Sequence, residues 1–300
     1  MTFTAAEIGP QTGRVVVVTG ANSGLGFETA KALVAHGATV VAACRSREKG
    51  EAAVSALAAA AADGGAVHLM PLDLASLASI HSFAGTFRAR FERLDLLVNN
   101  AGVMMPARRA LTVDGFELQL GTNHLGHFAL TGLLLDRLRG TAASRVVTVS
   151  SLAHRVGAIA FDDLQSERRY RRFASYGQSK LANLLFSAEL GRRLGALGAD
   201  VVSVAAHPGY SATNLQNTVR LFKLFNPLAG QRADRGALPT LYAATATGVQ
   251  SGDYYGPGGL FELRGAPRPA KRTAAARDEA LALHLWDVSE ALTGVTYPRA

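Results

Sequence analysis

Tyr176 and Lys180 stand four residues apart in Ser175-Tyr176-Gly177-Gln178-Ser179-Lys180. On a helix that spacing places both side chains on one face, a phenol beside an ammonium group. A phenol with an ordinary pKa of about 10 exchanges protons poorly near neutrality, and a neighbouring cation favours its ionised form. Such a pair can act as a general acid or base. Ordinary amphipathic helices carry the same spacing, so its meaning depends on what the rest of the chain sets beside it.

A second chemical feature lies near the N-terminus. An apolar run at 14–18 leads into Thr19-Gly20-Ala21-Asn22-Ser23-Gly24-Leu25-Gly26-Phe27, and a helical pattern follows over 28–35. Glycines between a strand and a helix allow a tight turn and let backbone amides approach a pyrophosphate at the positive end of the helix. Gly20, Asn22, Ser23, Gly24, Leu25 and Gly26 therefore form a candidate dinucleotide site. The spacing Gly-x-x-x-Gly-x-Gly differs from the commoner Gly-x-Gly-x-x-Gly. After the second apolar run comes Ala43-Cys44-Arg45-Ser46-Arg47, where an NAD site would carry an acidic residue for the ribose hydroxyls. An acid repels a 2′-phosphate, whereas a guanidinium pairs with it, so NADP(H) is expected, with Arg45 preferred over Arg47.

The elements that must position these groups are legible as β-branched runs at 14–18, 38–42, 66–70, 94–98, 145–149 and 201–205, separated by Ala- and Leu-rich amphipathic stretches. Strands alternating with helices imply a parallel sheet covered on both faces. The expected fold is one Rossmann-type, doubly wound α/β domain over 1–300, with a mainly parallel sheet of about seven strands. Residues 1–12 form an N-terminal extension. The stretches 156–174 and 252–272 read as loops or short irregular elements, and a C-terminal helix is expected over 275–292 with Leu281, Leu285 and Val288 on its apolar side.

In combination and order, these motifs resemble the short-chain dehydrogenase/reductase family. Besides the glycine turn, the chain has Asp73-Leu74, Asn99-Asn100-Ala101-Gly102, Asn123 in Thr122-Asn123-His124-Leu125-Gly126, Ser150-Ser151, Tyr176 with Lys180, and Pro208-Gly209. The resemblance runs from about residue 13 to 212. It implies that Tyr176 donates a proton in carbonyl reduction, that Lys180 lowers the tyrosine's pKa and bonds the nicotinamide ribose, and that Ser151, rather than Ser150, polarises the substrate oxygen. It also implies that Asn123 holds a water relaying protons toward Lys180. Asp73 and Leu74, Asn99, Ala101 and Gly102, Pro208 and Gly209, and Thr213 would line or contact the cofactor, as would Tyr176 and Lys180.

Ser151 and Tyr176 are 25 positions apart, about twice the family's common spacing. With Ala43-Cys44-Arg45 and Ser179-Lys180-Leu181-Ala182-Asn183, the insert at 156–174 resembles the retinol dehydrogenase-like branch and its bacterial relatives. The resemblance implies an NADP(H)-dependent interconversion of a lipophilic carbonyl and its alcohol. The alternatives are reduction of a carbon-carbon double bond, as in protochlorophyllide reductase-like relatives, and non-catalytic NADP(H) sensing or scaffolding. Residues 211–230, with Leu221-Phe222-Lys223-Leu224-Phe225, are expected to form a substrate lid. Family members assemble as homodimers or homotetramers through the helices after the fourth and fifth strands, a surface the insert could obstruct.

The remaining features point away from other classes. The net charge of +8, from 31 Lys and Arg against 23 Asp and Glu, is dispersed along the chain. Arg168, Arg169, Arg171 and Arg172, interleaved with Tyr170 and Phe173, read as a solvated loop rather than a nucleic-acid contact. His124, His127, His154 and His207 lack partners for a metal site. The single cysteine, Cys44, excludes an internal disulfide, and no apolar run reaches membrane-spanning length. A cytoplasmic protein without a membrane span is expected.

Overall fold

The structure is a computed structural model that describes residues 3–210 and 231–299. Its strands are β1 (Val15–Thr19), β2 (Thr39–Cys44), β3 (Ala66–Pro71), β4 (Leu96–Asn99), β5 (Ser144–Val149), β6 (Val201–Ala206), β7 (Tyr254–Pro257) and β8 (Pro267–Pro269). They form one sheet in the order β3-β2-β1-β4-β5-β6-β7-β8. The β1 register pairs Val15 with Thr39 on one side and Val16 with Leu96 on the other, both parallel. The order reverses between β1 and β4, which is where a doubly wound sheet opens a crevice beyond its strand ends.

Strand alternation assigns successive residues to opposite layers. Val17, Val41, Leu97 and Val146 pack against one set of helices, α3 (Leu77–Arg90), α4 (Gly126–Leu133) and α5 (Arg172–Ala196). Val16, Val18, Val40, Val98 and Val147 pack against the other, α1 (Gly24–Val34), α2 (Arg47–Ala58) and α6 (Leu238–Thr245). Both faces of the central strands are apolar because both are covered.

The sheet, expected at about seven strands, has eight, and the stretch 252–272, expected as loops or short irregular elements, contributes β7 and the antiparallel β8. β7 is held by pairing with Ala205 and Ala206 of β6, not by a pattern of its own. β8 carries Pro267 and Pro269, which lack an N–H and are tolerated because the strand is an edge. The C-terminal helix, α7, is Glu279–Thr293 and is separated from a 3₁₀ turn at Ala275–Arg277. Asp278 makes the break by accepting from the Leu281 N–H at 2.9 Å, an N-cap that starts a new helix.

α7 seals the outer side of α4 and α5. Trp286 lies 5.0 Å from Phe128 and 4.5 Å from Tyr297 between ring centroids, with the Arg193 guanidinium 4.4 Å from its ring centroid. The insert is fastened to the same helix, because Phe161 stacks on His284 at 3.9 Å. Residues 156–171 are otherwise irregular, with a 3₁₀ turn at Phe161–Asp163.

Candidate active site

The turn after β1 fits a close-approaching diphosphate. A Cβ on Gly26 would sit 2.4 Å from the Gly20 carbonyl oxygen and 2.5 Å from Asn100 Nδ2, so only glycine lets α1 start this near β4. Gly20 has φ of 69°, a left-handed value that favours glycine. The exposed N–H groups at the start of α1 then face the crevice with the positive end of the helix dipole.

A cleft of about 530 Å³ runs from this turn to the start of α5. Gly20, Asn22, Ser23, Gly24, Leu25 and Gly26 line one end, with Arg45, Asp73 and Leu74 beside them. Ala101, Gly102, Pro208 and Gly209 line the middle, and Ser151, Tyr176 and Lys180 the far wall. Arg45 is exposed at the end of β2, whereas Arg47 turns away to Glu51 at 2.8 Å and is not on the wall. Asp73 is fixed by local bonds, its Oδ1 accepting from the Ala75 N–H at 3.0 Å.

Asn99 is set apart from the cleft. It is fully buried at the end of β4, and its Nδ2 donates to Thr131 Oγ1 at 3.0 Å. Asn100 takes the position on the wall, donating from Nδ2 to the Thr19 carbonyl at 2.8 Å. Thr213 and the expected lid at 211–230 lie outside the described residues.

Tyr176 and Lys180 share a face of α5, and the Lys180 Nζ is 5.8 Å from the phenol ring centroid. Lys180 Nζ donates to the Val149 carbonyl at 3.1 Å, which anchors it to the end of β5. Burial pushes the ammonium down to about 8. Burial also pushes the Tyr176 phenol up to about 12, opposed by a hydrogen bond with the Ser151 hydroxyl. Desolvation of the buried phenolate outweighs that hydrogen bond. Ser151 caps the 3₁₀ turn Leu152–Val156 and keeps its hydroxyl at the cleft. The Ser150 hydroxyl instead donates to the Lys180 carbonyl at 2.8 Å, bracing α5 against β5.

Asn123 occupies a π-turn, Gly121–Leu125, a local widening common at functional sites. Its Oδ1 accepts from the Val103 N–H at 2.8 Å, and its Nδ2 donates to the Val103 carbonyl and to Ser179 Oγ. The carboxamide therefore braces the 101–103 wall against α5.

Thr19 and His127 form a hub that sequence reading missed. Thr19 Oγ1 accepts from the N–H groups of Asn100 and Ala101 at 2.9 Å each, and its proton points to His127 Nε2 at 2.9 Å. The His127 Nδ1–H then donates to the Asn123 carbonyl at 2.9 Å. Burial holds this imidazole down at about 4, so the ring stays neutral as the hub requires. The only sequence signal was Thr19 at a strand end; its partner is 108 residues away.

The cleft lining around Tyr176 is apolar. Met104, Met105, Val156 and Phe173 lie on its wall, and Met105 packs with Tyr176 and Ala153. The insert helps fix this wall, because Gln119 accepts from the Met105 N–H at 2.7 Å and donates to Tyr170 Oη and the Arg172 carbonyl. Arg168 pairs with Asp162. Among the described residues no group of three or more His, Cys, Asp or Glu could hold a metal ion, and no helix is long and apolar enough to cross a membrane.

Crevice, glycine turn and Ser-Tyr-Lys wall define an oxidoreductase of the Rossmann type, and the chain belongs to the short-chain dehydrogenase family, whose model matches residues 14–223. Within that family it is retinol dehydrogenase-like. It is 44% identical to human retinol dehydrogenase 12 over 294 residues, covering 95% of this chain and 88% of that one. A solved structure of a Mycobacterium paratuberculosis protein is 46% identical, with a TM-score of 0.84 over 99% of this chain and 100% of that one. An NADP complex of Pseudomonas aeruginosa RhlG is 25% identical, with a TM-score of 0.65 over 82% and 94%.

Proposed function

We propose that the protein is an NADP(H)-dependent oxidoreductase that interconverts a lipophilic aldehyde or ketone and its alcohol. The observation that carries this reading is one continuous cleft. It joins the Gly20–Gly26 cradle and Arg45 at one end to Ser151, Tyr176 and the apolar Met104, Met105, Val156 and Phe173 wall at the other. The nucleotide in the Pseudomonas neighbour and the lipophilic alcohol named for the human relative support it.

The chain's own residues fit such a nucleotide. The glycines let the turn pack tightly so that α1 begins at the cleft, and Arg45 on the cleft lining supplies a cation for a 2′-phosphate. When bound, the nicotinamide supplies or accepts the hydride. Ser151 holds the substrate oxygen within reach of the Tyr176 phenol by donating its hydroxyl proton as a hydrogen bond. Tyr176, held near 12, is protonated at neutral pH and gives its Oη proton to that oxygen in the reducing direction. The Lys180 ammonium offsets the charge left on the phenol oxygen, and the Met and Phe wall excludes water.

The test is consumption of NADPH with a panel of aldehydes, ketones and enones. Alcohol formation from carbonyls supports the reading. Saturation of the enone double bond would replace it with reduction of carbon-carbon bonds, and tight NADPH binding without any turnover would replace it with a sensing role.

A further inference from the structure

A half-buried polar cluster built on the buried His207 is used by none of the steps above. It begins at Phe261 and Glu262, adjacent residues with φ of 52° and 59°. Non-glycine residues hold left-handed backbone only where their surroundings over-determine it. Here the Glu262 carboxylate supplies the constraint. Its Oε1 accepts from the Lys271 N–H at 3.1 Å, and its Oε2 meets Arg155 Nη2 at 2.7 Å and His207 Nε2 at 3.0 Å.

Two of these partners, Arg155 and His207, lead to the cleft wall. Arg155 belongs to the 3₁₀ turn Leu152–Val156, which Ser151 caps. His207 is fully buried and directly precedes Pro208 and Gly209, both on the cleft wall. An ionised carboxylate can only accept, so His207 Nε2 carries the proton and Nδ1 presents a lone pair. That lone pair accepts from the Gly209 N–H at 3.2 Å. Gly209 is packed against the same segment, since a Cβ there would sit 2.4 Å from the Leu263 carbonyl oxygen.

We propose that Glu262 and His207 are positioning residues: the carboxylate fixes the imidazole tautomer, the imidazole holds the Pro208–Gly209 turn, and Arg155 keeps that turn in register with the Ser151 turn. The inference rests on the cofactor reading of the cleft. It implies that one carboxylate sets the distance between the Pro208–Gly209 wall of the cofactor cleft and the Ser151 turn.

Protonation of His207 would turn Nδ1 into a donor facing the Gly209 N–H and break the link. The groups facing this ring are Glu262 and Arg155, the Tyr254 ring at 5.2 Å, and His154, whose ring lies 5.6 Å beyond Tyr254. Burial lowers the His207 pKa and Glu262 raises it, with burial the larger effect, so the neutral ring persists at neutral pH and is lost on acidification.

The experiment is NADPH affinity and carbonyl-reduction kinetics for the wild type, Glu262→Ala, Glu262→Gln, His207→Asn and the His207→Asn, Glu262→Ala double variant, with thermal unfolding of each. Glu262→Ala is expected to weaken NADPH about tenfold. Glu262→Gln, which keeps an acceptor oxygen for His207, stays within about threefold of wild type. In the His207→Asn background the Asn oxygen accepts from Gly209 without a tautomer to fix, so Glu262→Ala costs less than about threefold, and the wild type's acid loss of affinity flattens. Equal losses in both backgrounds, or a Glu262→Ala chain that binds NADPH as wild type does, overturn the inference alone. A wild-type chain that binds no NADPH overturns the cofactor reading as well.

Discussion

Asn123 and Ser179 are joined by a 2.9 Å hydrogen bond from carboxamide to hydroxyl, and Ser179 passes it on to the Tyr176 carbonyl at 2.8 Å. The π-turn thereby grips the helix that carries the acid. Asn123→Ala deletes this buried bond together with two part-buried ones to Val103. Stranded buried groups cost about 1–3 kcal/mol each, partly relieved by relaxation. The expected outcome is a loss of about 2–4 kcal/mol in unfolding free energy and a fall in kcat/KM of about tenfold or more. Denaturant unfolding and steady-state kinetics check it together.

Lys180 sets the alkaline limit of reduction. Its ammonium titrates near 8, below the ordinary lysine value, because burial disfavours the charge. Above that pH the cation that offsets the phenol's developing charge is lost, so kcat/KM for reduction should fall as pH rises through about 8. Lys180→Arg keeps its charge throughout. It should be slower at every pH but should lack this limb. The sign for stability is the opposite. Between about 8 and 10.5 the unfolded lysine holds a proton that the native one has released, so Lys180 makes stability rise with pH. Tyr176, native near 12 against 10 unfolded, makes it fall between those values.

Arg45 should decide between the two nicotinamide nucleotides. It is on the cleft wall and, among the described residues, makes no ion pair, whereas Arg47 is paired with Glu51. Arg45→Ala is expected to weaken NADPH by about 10–100-fold, the range for losing a charge-assisted contact to phosphate, while NADH affinity changes less than about threefold. Arg47→Ala should leave both unchanged. Titration of the four combinations measures it.

Trp286 should matter for stability and not for cofactor affinity. It projects from α7 and is buried among Phe128, Phe186 and Tyr297, away from the cleft lining. Trp286→Ala leaves a cavity costing about 3–5 kcal/mol. The melting temperature should drop by about 5–8 °C, with the NADPH Kd of the folded fraction unchanged.

The six strands were legible as β-branched or apolar runs because the central ones are buried on both faces, while the edge strand β3 is only half-buried. β7 and β8 were not, since they are held by neighbours and by an edge position rather than by pattern. The contrast recurs in the site. The glycine turn, Arg45, Ser151, Tyr176 and Lys180 announce themselves by residue type and order, and the structure brings all of them to one cleft. Asn99 and Asn100 differ by one position on a strand end, where successive side chains face opposite ways, and only the packing of Thr131 and Thr19 decides which reaches the cleft. Burial is the other hidden variable. Spacing puts Lys180 beside Tyr176, but the desolvation that raises the phenol and lowers the ammonium depends on β5, the insert and Met105 closing around them.

The central claim, that Tyr176 delivers the proton while the cleft holds NADPH, is tested most directly by comparing wild type with Tyr176→Phe in two measurements on one sample, NADPH affinity and the rate of NADPH oxidation with an aldehyde. The expected result is unchanged affinity with turnover reduced about 10²–10⁴-fold, the contribution of a positioned general acid. Turnover by Tyr176→Phe at the wild-type rate would contradict it.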